Sequence, residues 1–258
     1  MAQELKVALL QSSIIWENPE QNRINFTQKI DSIATDVDLI VLPEMFTSGF
    51  TMTPENIRKE EGIHTLDWMK QLAKQKNAAL VGSLPFYEND KYSNRLFFVL
   101  PNGSCHQYDK RHTFTLAGED KVYEAGSKRL IVEYQGFRIC PMVCYDLRFP
   151  VWARNTENYD VLIYVANWPK PRITAWDTLL KARAIENMSF SIGVNRVGFD
   201  ASGHEYSGHS AVYDVLGEQL VFSENEEIMY TSLNKDHLTT VREKLKFLDD
   251  RDRFTLEE

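Results

Sequence analysis

Three apolar runs that never alternate with polar residues constrain the fold most: residues 38–45 (DLIVLPEM), 137–143 (FRICPMV) and 161–166 (VLIYVA). Successive side chains of a strand point to opposite faces, so a strand apolar at nearly every position needs cover on both sides. Further strands are expected at residues 6–10, 78–86, 95–100 and 105–108. The last two are joined by a Pro101-Asn102-Gly103 turn. A hairpin around Gln135-Gly136 joins residues 130–134 to 137–143, and strands follow at 191–197, 211–215, 219–222 and 227–233. Helical spacing marks four segments between them. One starts at Asn18-Pro19-Glu20 and carries Phe26, Ile30 and Ile33; a second carries Leu66, Met69, Leu72 and Ala73. A third carries Trp176, Leu180, Ala184 and Met188, and a fourth Leu238, Val241, Leu245 and Leu248. Residues 110–126 have little periodicity and read as a long loop, the kind that often carries function. Strands and helices interleave without repeat, low-complexity tract or linker. The expectation is one α/β domain over residues 1–258, with helices outside two sheets.

Charge narrows the partners. The net charge is −8 and no Lys/Arg cluster offsets it, which argues against nucleic acid. The N-terminal MAQELKVALLQSS lacks a basic segment followed by a long apolar one, so no secretory leader is expected. No apolar run reaches the roughly 18 residues of a membrane span. Cys105, Cys140 and Cys144 are an odd set for a disulfide framework, and a reducing cytoplasm is the simplest location.

The residues suited to chemistry stand at strand ends. Cys144 follows an apolar strand and precedes Tyr145, Asp146 and Arg148 in MVCYDLRFP. A thiol there can leave the sheet edge while neighbouring backbone N–H groups face a substrate oxygen; it can equally be an inert core cysteine. Glu44 ends DLIVLPE as a candidate general base, or as a carboxylate facing water. Lys110, in YDKRHTF, can stabilise an oxyanion or lie solvated; Glu119, in LAGED, says little alone. A zinc site at Cys140 and Cys144 is not expected, because their spacing suits a helix and the segment reads as a strand.

Together these stretches resemble the nitrilase superfamily of carbon–nitrogen hydrolases. The resemblance runs from KVALLQSS through LIVLPEMF, YDKRHTF, LAGEDKVYEAG and MVCYDLRFP to VANWP, RAIENMSFSIGVNRVG and HSAVYDVLGE. It implies a four-layer α-β-β-α sandwich, usually a homodimer. It also implies Glu44 as general base, Lys110 as oxyanion-stabilising lysine, Cys144 as nucleophile, Glu119 as an assisting carboxylate and the Tyr145 N–H as second oxyanion donor. The chemistry it implies is amide hydrolysis through a thioester, with no metal or cofactor. PEMFTSGF, KRHTFTLAGE, CYDLRFP and NWPKPR are similar to the bacterial ω-amidase branch. That branch hydrolyses α-ketoglutaramate and α-ketosuccinamate, often alongside methionine salvage.

Such a substrate carries a carboxylate remote from its amide, so Arg148 and Arg172 are candidate grips. For Arg148, pairing with Asp146 or Glu186 is the preferred reading. Phe46, Phe114 and Trp168 are candidate pocket walls, or core. An amidase of deaminated glutathione, a nitrilase and a non-catalytic binding module are the alternatives.

Overall fold

Strand and helix alternate through the computed structural model, which describes residues 3–34 and 36–256. Positions 1, 2, 35, 257 and 258 lie outside the described residues, among them the first two of the stretch read for a leader. The elements begin with β1 (Glu4–Gln11), α1 (Pro19–Asp31), β2 (Leu39–Val41), α2 (Glu61–Lys76), β3 (Ala79–Glu88), β4 (Lys91–Val99) and β5 (Cys105–Asp109). They continue with β6 (Val132–Tyr134), β7 (Phe137–Val143), α3 (Pro150–Ala153), β8 (Val161–Val165), α4 (Ile173–Asn187) and β9 (Phe190–Val194). The last are β10 (Val197–Phe199), β11 (Glu205–Ser207), β12 (Ser210–Tyr213), β13 (Gln219–Ser223), β14 (Glu227–Asn234) and α5 (Lys235–Leu245).

Two six-stranded sheets carry the fold, in the orders β14-β1-β2-β3-β4-β5 and β13-β12-β9-β8-β7-β6. Each is parallel in its middle, β1-β2-β3 and β7-β8-β9, and antiparallel at its flanks. The period of two explains the unbroken apolar runs. Ala8, Leu10, Ile40, Leu42 and Leu80 pack outward on Phe26 and Ile30 of α1 and Met69 and Leu72 of α2. Their neighbours Val7, Leu9, Leu39, Val41 and Val81 join the core that contains the second sheet. On that sheet, Met142, Tyr164 and Gly193 lie side by side. Gly193 faces α4 so closely that a Cβ would sit 2.4 Å from Leu180 and 2.7 Å from Trp176. Helices therefore cover the outer face of each sheet, in the expected α-β-β-α order. Each fully buried Leu, Ile or Val contributes about 1.5–3 kcal/mol.

Several expected boundaries move, each for a local reason. Asn18 caps α1 by accepting from the Gln21 N–H, with Pro19 in the first turn, but the helix stops at Asp31 and Ile33 packs from beyond it. Met188 (φ 44°) and Lys246 (φ 55°) close α4 and α5 in left-handed conformation, which leaves Leu248 outside the last helix. The 38–45 run pairs as a strand only over Leu39–Val41. Pro43 has no N–H to continue the ladder, and Met45 (φ 42°) turns the chain. The 191–197 run splits at Asn195, whose side chain donates to the carbonyls of Trp168 and Gly208. Beyond it β10 leaves the sheet to pair with β11, a strand too short to read from sequence.

Candidate active site

The carboxyl ends of β2, β7 and β8 converge, and those of β7 and β8 open on a cavity, the usual place for a site in sheets with parallel strands. Glu44 lies just past β2, Lys110 directly after β5, Cys144 directly after β7 and Asn167 just past β8. Glu119 opens a one-turn 3-10 helix, Glu119–Lys121, within the 110–126 loop. Residues up to 123 positions apart in the chain are thereby brought into hydrogen-bonding contact.

Lys110 Nζ donates to Glu44 Oε1 at 2.9 Å and to Glu119 Oε1 and Oε2 at 3.0 and 2.8 Å. Asn94 Nδ2 bridges the same two carboxylates, at 2.8 Å to Glu44 and 3.0 Å to Glu119. The other Glu44 oxygen accepts the Asn167 N–H at 2.8 Å, and the Asn167 side chain returns to the Glu44 carbonyl at 2.5 Å. The Phe114 N–H donates to Glu119 Oε2 at 2.5 Å. Glu44 and Glu119 are wholly buried and Lys110 is 1% exposed, so each charge depends on the others for its solvation.

Cys144 sits against this cluster in left-handed conformation (φ 44°), which is uncommon for a residue bearing a side chain. Burial pushes its thiol well above the ordinary range. The Glu44 charge and a hydrogen bond to Glu44 push the same way, and Lys110 opposes them. Burial and the neighbouring charge thus both favour the protonated thiol, which lies beside the Glu44 carboxylate. Burial alone would lower Lys110, but the charges of Glu119 and Glu44 overcome it and keep the ammonium protonated. Burial raises Glu119; Lys110 opposes the rise and Glu44 adds to it.

Cys144 and Lys110 reach a cavity of about 460 Å3. Of the sequence-predicted residues, Phe114, Tyr145, Arg148, Trp168 and Arg172 also line it. The Arg172 guanidinium lies 5.0 Å from the Phe114 ring centroid, and that of Arg148 lies 4.9 Å from Trp168. Pairing of Arg148 with Asp146 or Glu186 does not occur. Asp146 is taken by Tyr108 and His112, Glu186 bonds Arg183, and Arg148 stands exposed at the cavity. Phe46 is not a pocket wall. It faces outward from the first sheet, fully buried between Phe26 and Trp68 at ring distances of 5.5 and 5.7 Å. The turn at Met45 sends it into the helix-covered core, and Phe50, four residues on, lines the cavity instead. Cys140, on β7, is core, its thiol pushed up to about 12 by burial.

Other participants lay outside the sequence reading. Asn94 carried a faint signal as a buried polar residue heading the apolar half of β4. Asn167 stood inside the VANWP motif with no role attached. Asp200, Ser202, His204 and Tyr206, at the turn between β10 and β11 and within β11, wall the cavity only because that ribbon folds over it. Among the described residues, no group of three or more His, Cys, Asp or Glu side chains is placed to hold a metal ion.

The arrangement has relatives. The family model for carbon-nitrogen hydrolases matches residues 6–243. The chain is 43% identical over 255 residues to the omega-amidase YafV of Yersinia enterocolitica, covering 98% of both chains. It is 32% identical over 250 residues to the 2-oxoglutaramate amidase of Bacillus subtilis, covering 95% of this chain and 96% of that one. The crystal structure of XC1258 from Xanthomonas campestris superposes with a TM-score of 0.95 at 40% identity, covering 98% of this chain and 99% of that one. That protein is described as a CN-hydrolase superfamily member with an arsenic adduct in its active site. The chain belongs to the carbon-nitrogen hydrolase family, the nitrilase superfamily that its strand-end motifs resemble.

Proposed function

We propose that this protein is an omega-amidase, hydrolysing the terminal amide of α-ketoglutaramate (2-oxoglutaramate) and α-ketosuccinamate to the keto acid and ammonia. The observation that carries the reading is the Cys144 thiol beside the buried Glu44–Lys110–Glu119 cluster, in a cavity with two guanidinium groups lacking carboxylate partners among the described residues. Relatives named omega-amidase and 2-oxoglutaramate amidase support the substrate class.

Glu44 takes the Cys144 proton and the thiolate attacks the amide carbon. Negative charge develops on the carbonyl oxygen, where the Lys110 ammonium and the Tyr145 N–H stabilise it. As the tetrahedral species collapses, Glu44 returns the proton to the departing nitrogen, releasing ammonia and leaving a thioester. Glu44 next deprotonates a water that attacks the thioester carbon. Collapse expels the Cys144 thiolate, which recovers the proton from Glu44, and the acid departs. Glu119 holds Lys110 protonated and in place. Arg172 and Arg148 grip the remote carboxylate, with Phe114 and Trp168 supporting the two guanidiniums. We assign the working form as a cytoplasmic homodimer, acting on keto-amides such as those that accompany methionine salvage.

Ammonia release tests this. α-Ketoglutaramate should react fastest among itself, succinamate, glutamine and deaminated glutathione, and Cys144→Ala should abolish the reaction. Preference for deaminated glutathione would replace the substrate and keep the chemistry. Release by Cys144→Ala at the wild-type rate would overturn the mechanism.

A further inference from the structure

We infer that Asp146 is a positioning residue that ties the cysteine turn to the lysine strand end. Asp146 is wholly buried, two residues after Cys144, and its carboxylate accepts four hydrogen bonds. Oδ2 accepts the Val143 N–H at 3.0 Å and the Tyr108 hydroxyl at 2.8 Å. Oδ1 accepts the His112 N–H at 3.0 Å and meets His112 Nδ1 at 2.8 Å.

The origin of these donors carries the inference. Val143 immediately precedes the thiol-bearing residue. Tyr108 and His112 bracket Lys110, two residues to either side. One carboxylate thus joins the two segments that carry the thiol and the ammonium through groups other than the thiol and the ammonium themselves, whereas Glu44 meets the two segments at those reacting groups. Its partners are themselves fixed. The Tyr108 hydroxyl accepts from Trp152 Nε1 at 3.1 Å and from the Arg111 N–H at 3.3 Å. The His112 ring stacks flat on Phe149 at 3.6 Å. On the other side of the turn, Arg183 Nη2 donates to the Leu147 carbonyl at 2.6 Å.

The left-handed Cys144 backbone needs such a clamp. Hydrogen bonds to a carboxylate buried in the protein interior are strong and mutually reinforcing. Without them the 143–146 turn can relax and the Sγ-to-Lys110 geometry drifts. Burial and the Asp146 charge push the Tyr108 hydroxyl well up, so it remains a donor over the working pH range.

The test uses Tyr108→Phe and His112→Phe, which each remove one donor and keep an aromatic ring, beside Asp146→Asn. Two readouts are taken: steady-state ammonia release from α-ketoglutaramate, and the rate of Cys144 alkylation by iodoacetamide followed by mass spectrometry. We expect kcat to fall by about 10- to 100-fold in each variant that folds. KM should stay within about twofold, and Cys144 alkylation should slow in parallel. A merely structural role would lower the melting temperature and leave both rates intact in the folded protein. Asp146→Asn leaves two donors facing an amide nitrogen; should it fail to fold, the two phenylalanine variants decide. Wild-type rates in both of these, folded, would overturn the inference. The inference rests on Cys144 being the nucleophile, and the outcomes separate the two. Ammonia release by Cys144→Ala at the wild-type rate overturns both, whereas release that depends on Cys144, with unaltered Tyr108→Phe and His112→Phe variants, overturns this inference alone.

Discussion

Lys110→Met is the most informative single change to the buried cluster. Methionine matches the lysine stem in length and removes only the charged head. The ammonium has contacts of 2.8–3.0 Å to two carboxylates, and all three groups are essentially inaccessible to water. Removing it leaves two acids sharing one asparagine, Asn94, with no cation against them. Stripping one partner from a buried ion pair costs about 3–5 kcal/mol. In a domain of this size that is a fall of about 6–20 °C in melting temperature. The sign of the pH dependence follows from Glu119. Its carboxyl is already raised by burial, and loss of Lys110 removes the positive charge that opposes the rise. A carboxyl whose folded pKa exceeds its unfolded value favours the folded state most at low pH, and that contribution is lost as pH rises through the folded pKa. The gap between variant and wild type should therefore be widest near pH 8 and shrink toward pH 5. Calorimetric melting at both pH values measures it. A variant within about 1 kcal/mol of wild type at pH 8, or a gap that does not narrow on acidification, would refute the account of a cation-dependent buried cluster.

Other changes probe the remaining geometry. Cys144→Gly should be more stable than Cys144→Ala by about 1 kcal/mol, because only glycine adopts the φ of 44° without strain; equal melting temperatures would count against strain at the nucleophile turn. Arg172→Met should raise KM for α-ketoglutaramate by about 10-fold or more and leave a neutral amide unaffected; equal effects on both would remove Arg172 from carboxylate recognition. Phe46→Ala should cost about 3–5 kcal/mol in urea unfolding with KM unchanged, since the ring fills the helix-covered core. Native Cys140, its thiol at about 12, should present roughly one thiolate in 10,000 at pH 8 and resist alkylation until the protein unfolds.

The layered architecture was legible because burial on both faces writes itself into local sequence. Runs such as VLIYVA leave no polar side for water, and helical spacing in the segments around Phe26, Leu72 and Trp176 marks what covers them. Glu44, Lys110, Cys144 and Glu119 were legible as a set because each stands in a short motif at a strand end or in the long loop, and the motifs resemble one family in one order. Local sequence did not determine which way a side chain points once a strand gives way to a turn. Phe46 and Phe50 are both aromatic residues of PEMFTSGF, yet the left-handed Met45 sends one into the core while the other reaches the cavity. Nor did it determine long-range closure. Asn94, Asn167 and the β10–β11 turn acquire their places only when distant strand ends meet, and Arg148 was left without a carboxylate because Tyr108, His112 and Arg183 had claimed the candidates. Periodicity and turn chemistry are short-range properties that sequence records directly. The pairing of buried charges is a competition among groups from all over the chain, and only the packed structure decides it.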